Sequence, residues 1–458
     1  MTRYLAPQAL LPDGWARNVL LEVDDRGTLR TVAPGAGAVP GDRPPALPGV
    51  VVPGVVNAHS HAFQRALAGG AESRTGPGDS FWSWRDQMYR FLRRMGPEEV
   101  ETVASRLYLE LLRHGYTRVV EFHYLHNDPD GRSYGDPAEM GRRLVAAAER
   151  VGMGITLLPV LYRTSDFGGI PAHPGQGRFV LDADAFLGLV DEVRGWSSTL
   201  LTPGFAFHSL RAVPPEEMDR VLAVLGDASL PRHIHLAEQP REVDACLAWS
   251  GQRPVEWLLD HAPVDGRWGL VHCTHMTGQE ADRLARSGAV AVVCPTTEAN
   301  LGDGIFPLSR HLSGGGALAV GSDSHVSASP VEELRWLEYG QRLTTGERAV
   351  ASSAEVPSVG RRLLEEVWRG GASAAGVDSG RLAPGCRADW VVLDPHHPAL
   401  AGREGDALLD AWLFSGNDSP VREVWVGGRP VILEGVHPLQ EATARSFRAV
   451  MQGLLAEG

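Results

Sequence analysis

The segment Pro53-Gly54-Val55-Val56-Asn57-Ala58-His59-Ser60-His61 ends an apolar run on two histidines spaced i, i+2. On a strand that spacing turns both imidazoles to one face, where they can share a metal ion. Such a pair is weak evidence alone, but polar side chains at the end of an apolar strand need a reason to be there. A second run, His233-Ile234-His235-Leu236-Ala237-Glu238, offers His235 as a third ligand. Glu238 stands three residues on, where the chain leaves the strand and can fold back over the ion. His233 shares the strand face of His235, so spacing alone does not choose between them. A third run ends at His272, within Leu270-Val271-His272-Cys273-Thr274-His275, and a fourth, Gly321-Ser322-Asp323-Ser324-His325, offers Asp323 as a carboxylate ligand. Three neutral imidazoles and one carboxylate suit a divalent ion with one position open to water. The alternative, a set of satisfied core histidines, must explain every one of these spacings separately.

The elements that must carry these residues alternate in type. Between residues 53 and 372, strand-like apolar runs occur at 51–58, 117–124, 154–161, 203–208, 232–237, 268–273, 289–295 and 317–322. Helical stretches such as 97–113, 137–151 and 215–225 separate them. Eight such strands divided by helices predict a (β/α)8 barrel. A doubly wound open sheet competes, but polar residues follow nearly every strand, as a catalytic face of eight loops requires. The ends of the chain read differently. Residues 19–23 and 28–32 flank Asp24-Asp25-Arg26-Gly27 as a hairpin; residues 421–426 and 430–433 flank Gly427-Gly428 as another; residues 389–394 form a strand and 439–455 a helix. The Gly-rich stretch 313–316 reads as a turn, not a phosphate loop, because no helix follows it directly.

Composition removes several functions. The 458 residues carry a formal net charge of −13, which argues against nucleic acid as a partner. All 43 basic residues are Arg and Lys is absent. No P-loop lysine, no lysine Schiff base and no carboxylated lysine bridging two metals can therefore exist. The apolar runs are too short to span a bilayer, and the first residues lack an apolar signal region, so a cytoplasmic protein without membrane partners is expected. Cys246, Cys273, Cys294 and Cys386 form no C-x-x-C pair and read as reduced, mostly buried residues.

The stretches PGVVNAHSH, HIHLAE, LVHCTH and GSDSH together resemble the amidohydrolase superfamily. The resemblance implies a (β/α)8 barrel at 53–372 and a small β-sandwich-like domain built from both termini, residues 1–52 and 373–458, the latter ending in the helix. It also implies a metal held by His59, His61, His235 and Asp323. Binuclear members carry a carboxylated lysine on the fourth strand; this chain offers His208 there, so one ion per chain is expected. The H-x-x-E of the fifth strand resembles the deaminase branch, in which that glutamate, here Glu238, shuttles protons. More narrowly, AHSHAFQRALAG, SFWSWRDQMY, EFHYLHN, FAFHSLRAV and CPTTEANLGDGIFP resemble formimidoylglutamate deiminases. That implies hydrolysis of N-formimino-L-glutamate to N-formyl-L-glutamate and ammonia in histidine degradation, by a homodimer.

A substrate with two carboxylates needs anion-binding groups. Arg211 directly follows the fourth strand and can make a two-pronged carboxylate contact. His208 and Gln64 flank the same mouth, Tyr124 ends the second strand and can donate its hydroxyl, and Arg85 sits in the aromatic-rich loop around residues 81–84. His123, His126 and His275 read as structural, and Glu298 and Asn300 as shaping the loop after the seventh strand. In the expected chemistry, Asp323 takes a proton from the attacking water, His272 steadies the attacking oxygen, and Glu238 protonates the departing nitrogen. Zinc is the first choice of ion, with iron or manganese also able to bind. Competing readings are an aminohydrolase of a purine, pyrimidine or triazine ring, an amidase or cyclic-imide hydrolase, and a non-catalytic barrel. A ring substrate favours stacking aromatics over Arg211, and a non-catalytic barrel has no need of Glu238 or His272.

Overall fold

Eight parallel strands form a barrel: Val55–Ser60, Tyr116–His123, Gly154–Leu161, Phe205–Ser209, Arg232–Leu236, Trp268–His272, Val290–Val293 and Ala317–Val320. The computed structural model describes residues 1–35, 44–73, 81–226 and 228–456, with the backbone alone at 81–83 and 86. The strands are buried almost throughout because helices cover their outer face while the barrel interior buries the other. Every residue of Val290–Val293, for instance, is buried, which contributes roughly 1.5–3 kcal/mol for each valine side chain as an upper bound. Proline at or beside the first helical position starts the helices Pro97–Arg113, Pro215–Leu225, Pro240–Ser250 and Pro330–Thr345. Its fixed φ suits a helix start, and its missing N–H costs nothing there.

The barrel closes where its last strand meets its first. Ser60 bridges Asp323, the His61 N–H donates to the Asp323 carbonyl at 3.2 Å, and the Asp323 N–H donates to the His59 carbonyl at 3.0 Å. Gly321 makes this approach possible, because a Cβ there would lie 2.5 Å from the Cβ of His59.

Two of the expected strands are divided. The run 51–58 breaks at Gly54, so that Val50–Pro53 leaves the barrel and pairs antiparallel with Trp390–Leu393, while Val55–Ser60 opens the barrel. A Cβ on Gly54 would fall 2.3 Å from the Thr117 side chain, which is why the chain can turn there only as glycine. The fourth strand is likewise two pieces, Leu201–Pro203 and Phe205–Ser209, both paired with the third strand.

Both chain ends build one seven-stranded sheet. It includes Thr2–Leu11, which pairs with Gly14–Val23, and Val421–Val426, which pairs with Arg429–Ile432 across Gly427-Gly428. Trp390 and Trp425 stack at 5.4 Å in its core, with Tyr4 edge-on at 4.8 Å from Trp425. The helix Gln440–Leu455 returns to pack on Pro97–Arg113 and ties this sheet to the barrel. Among the described residues no helix is long and apolar enough to cross a membrane.

Candidate active site

The C-terminal ends of the barrel strands bring the predicted ligands together. His59 Nε2 lies 3.1 Å from His61 Nε2 and 3.0 Å from His235 Nε2. Asp323 Oδ1 lies 3.3 Å from His61 Nε2 and 3.6 Å from His59 Nε2. Donor atoms bound to one ion at about 2.0–2.1 Å stand roughly 3.0–3.4 Å apart, so the spacing fits a single divalent ion. The tautomers agree. His61 Nδ1 donates to the Phe122 carbonyl at 3.0 Å and His235 Nδ1 to the His208 carbonyl at 2.9 Å. A carbonyl only accepts, so the Nε2 atoms of His61 and His235 each present a lone pair toward His59 Nε2, and with the Asp323 carboxylate they make a donor set that suits a divalent cation. Burial holds the rings neutral: His61 is pushed down to about 3, and His59 and His235 lie well below the usual histidine value. His233, which spacing left as an alternative to His235, lies deeper in the barrel and its Nε2 donates to the Ala374 carbonyl at 2.9 Å.

Beside this nest stands His272. Its Nδ1 lies 3.3 Å from Glu298 Oε1, and its Nε2 lies 3.6 Å from Glu238 Oε1 and 3.8 Å from Asp323 Oδ2. Burial opposes charge on this ring, but Glu238, Glu298 and Asp323 together outweigh burial and push it up to about 10. Burial also lifts the Asp323 carboxyl to about 7, against the pull of His272. The strand exits here are strained. Ala237, His272, Cys273, Asp323 and His325 all take positive φ, between 49° and 69°, a conformation that costs about 1–3 kcal/mol for residues other than glycine. Buried carboxylates pin strand exits here, both strained and unstrained. Glu242 accepts the N–H groups of Ala237 and Glu238 at 2.9 and 3.0 Å, and Glu298 accepts the Cys294 N–H at 2.9 Å.

The other wall of the same cavity carries Arg85, Tyr89, Tyr124, Tyr162, His208 and Arg211. Arg211 donates to the Ser165 carbonyl at 3.3 Å. Arg85 is not on a loop as expected but within the helix Phe81–Leu92, its guanidinium 5.6 Å from the Tyr89 ring. Successive aromatic residues hid the helical period there. Gln64 stands behind Tyr124, to whose hydroxyl it donates at 3.0 Å, and its own carbonyl oxygen is buried without a hydrogen-bond partner among the described residues. The Tyr124 O–H in turn donates to Met88 Sδ at 3.7 Å, at the cavity wall. His208 packs 4.5 Å from the Tyr162 ring; burial and then Arg211 hold it well below the usual histidine value.

His126 and His275 donate to the backbone carbonyls of Val160 and Asp303, and His123 packs on His126 at 4.9 Å. Asn300 points outward and donates to Glu72. Four contributors, Tyr89, Tyr162, Glu242 and Asp303, were not anticipated. Tyr162 follows the third strand as Tyr124 follows the second, a parallel visible in the sequence. Glu242 and Asp303 carry no such mark, because their partners are distant or depend on the turn itself.

Known proteins resemble this chain over nearly its whole length. Residues 50–431 match the model described as Amidohydrolase family, and residues 1–46 match Formimidoylglutamate deiminase HutF, N-terminal domain. A formimidoylglutamate deiminase of Pseudomonas aeruginosa is 52% identical over 99% of this chain and 100% of that protein. The crystal structure of an amidohydrolase from Brucella melitensis superposes with a TM-score of 0.93 at 46% identity, covering 99% of this chain and 100% of that one. An adenosine deaminase from Xanthomonas campestris, solved with bound zinc, shares the fold at a TM-score of 0.80 and 21% identity, over 99% and 98% of the two chains. The chain belongs to the amidohydrolase family and, within it, to the formimidoylglutamate deiminases.

Proposed function

We propose that the chain hydrolyses the linear amidine of N-formimino-L-glutamate, giving N-formyl-L-glutamate and ammonia, a step of histidine degradation. The observation that carries this reading is the division of one cavity. Glu238 and Asp323 line it beside the histidine nest, and Arg85 and Arg211 line it opposite. The substrate divides in the same way, with an amidine at one end and two carboxylates at the other.

His59, His61, His235 and Asp323 would hold one divalent ion, zinc by first preference, which acidifies water toward neutrality when bound. Asp323 also accepts a proton from the attacking water. His272, held charged by its carboxylates, donates to the oxygen as it bonds to the amidine carbon and so stabilises the charge that develops there. Glu238 delivers a proton to the terminal nitrogen, the C–N bond breaks, and ammonia leaves. Arg211 and Arg85 bind the carboxylates, Tyr124 and His208 line the path between the two ends, and Gln64 fixes the Tyr124 hydroxyl.

In this reading residues 1–52 and 373–458 form the small domain and 53–372 the catalytic barrel. The enzyme works in the cytoplasm as a homodimer; a single-chain mass by light scattering at active concentrations would refute the dimer. The activity is tested by ammonia release from a panel of formimino-amino acids, guanine and cytosine. Release from N-formimino-L-glutamate alone is expected, and release only from a ring substrate overturns the assignment.

A further inference from the structure

Tyr162 follows the third strand, is 2% exposed and lines the cavity together with Arg211. The backbone beside it is fastened to the backbone beside Arg211. The Arg163 and Thr164 N–H groups donate to the Ala212 carbonyl at 2.8 and 3.0 Å, and the Thr164 hydroxyl donates to the Arg211 carbonyl at 3.0 Å. The Arg211 guanidinium returns a hydrogen bond to the Ser165 carbonyl at 3.3 Å and also faces the Tyr162 hydroxyl. Behind that hydroxyl stands Gln176, fully buried at the end of the short 3-10 helix Pro174–Gln176 and not part of the cavity wall. A group that can only donate fixes its orientation: the His173 N–H donates to Gln176 Oε1 at 3.0 Å. The amide nitrogen is thereby turned to Tyr162, and Gln176 Nε2 donates to the Tyr162 hydroxyl at 2.7 Å. Guanidinium and amide N–H groups offer no lone pair, so neither neighbour can take the phenolic proton. No described residue accepts it. A buried donor without an acceptor is costly unless a ligand completes it.

We propose that Tyr162 is a further substrate-binding residue: its hydroxyl donates to the carboxylate that Arg211 holds, and Gln176 is the positioning residue that turns the phenolic proton into the cavity. The inference rests on Arg211 binding a substrate carboxylate. A carboxylate has more lone pairs than one guanidinium fills, and a phenol supplies a donor from a second direction. The arrangement also discriminates. An analogue lacking that carboxylate leaves a fixed, buried hydroxyl unpaired, and a site built to hydrogen-bond a substrate group rejects the compound without it.

The test is Tyr162→Phe in the metal-loaded enzyme, which removes the hydroxyl and keeps the ring that packs on His208 and Phe179. KM for N-formimino-L-glutamate should rise about tenfold or more, the scale of one hydrogen bond to a charged group, with kcat little changed. Of two formimino compounds, one lacking the α-carboxylate and one the side-chain carboxylate, the variant should match the wild type on whichever is also indifferent to Arg211→Met. An unchanged KM, an equal rise on all three substrates, or a loss in kcat alone would overturn the proposal. Gln176→Glu still accepts the His173 N–H but draws the phenolic proton out of the cavity. It should reproduce the KM rise and add little to Tyr162→Phe; a full further rise in the double variant would remove Gln176 from its positioning role. Calorimetric titration with N-formyl-L-glutamate makes the comparison without turnover, and its Kd should weaken about tenfold in Tyr162→Phe. A wild type that binds this dicarboxylate but releases no ammonia would refute the assigned reaction alone. A variant that binds it as tightly as the wild type would refute the role of Tyr162 alone, and a wild type that does not bind it would overturn both.

Discussion

His208 and His272 stand on opposite sides of His235, at ring distances of 5.1 and 5.5 Å, and they are held in opposite protonation states. His208 belongs to the wall of Arg85, Arg211 and the tyrosines, where burial and a neighbouring guanidinium keep it neutral. His272 belongs to the wall of Glu238, Glu298 and Asp323, where carboxylates keep it charged. The two walls also differ in construction. The acidic wall uses side chains at strand exits, several of them strained, with Glu242 and Glu298 accepting backbone N–H groups at the exits of the fifth and seventh strands. The basic wall uses long side chains, one from a helix and one after a strand, reaching across aromatic rings. Chemistry needs atoms fixed to a fraction of an ångström, and short side chains on rigid exits provide that. Holding a flexible dicarboxylate needs reach and charge, which arginine provides.

If this division is correct, damage to each wall should leave a different kinetic signature. The largest effect is expected at the nest that both walls flank. His59→Ala should lose metal and activity together, with elemental analysis of the wild type giving about one ion per chain; two ions per active chain would break the single-ion reading. Next, Glu238→Gln should retain its metal and lose at least ~10²-fold in kcat, the scale of a lost general acid–base step. Wild-type turnover in that variant would remove Glu238 from the acidic wall's chemistry. On the basic wall, a charge-assisted pair lost by truncation costs roughly 2–5 kcal/mol. Arg211→Met should therefore lower kcat/KM for N-formimino-L-glutamate by about 30-fold or more. The loss should be much smaller on a formimino compound lacking the carboxylate that Arg211 holds, and an equal loss on both would make Arg211 structural.

The smallest effect concerns the floor beneath the nest. Glu121 accepts Ser60 Oγ at 2.5 Å, the Ala62 N–H at 2.7 Å and the Tyr108 hydroxyl at 3.1 Å, and burial pushes it up to about 7. A carboxyl raised in the folded state lends stability that is full below its ordinary range and lost as pH rises through the folded value. Wild type should accordingly lose stability relative to Glu121→Gln between pH 5 and pH 8. Melting temperatures of both proteins at the two pH values measure this, and a constant difference would contradict it.

The chemistry was more legible in the sequence than its supports. His59, His61, His235 and Asp323 ride on strand ends, where a period of two and the end of an apolar run mark them locally. The third strand, Gly154–Leu161, and the helix Pro97–Arg113 follow their apolar patterns over their whole length. His233 remained open because face parity says nothing of depth along a strand, and depth is what separates it from the nest. Thr2–Leu11 went unread as a strand because its burial does not alternate cleanly. Asp303 stood inside a motif, but its contacts with the Gln239 amide and the His275 ring exist only once folding brings the three together.

The closing seam of the barrel has one more consequence, for the order of assembly. Asn57 and Ser322, 265 residues apart, join through their side chains at 2.5 Å beside the histidines and Asp323. A contact of that span pays its full loop-closure entropy before it returns anything, so it forms late. The nest therefore lacks its carboxylate until the whole barrel has been made and closed. A partly synthesised chain holds the two histidines of the first strand as an ordinary peptide would, with no cage to trap whichever ion passes first. With the proposed ligands His59 and His61 at the end of the first strand and Asp323 at the exit of the last, ion binding is in this reading a property of the closed barrel.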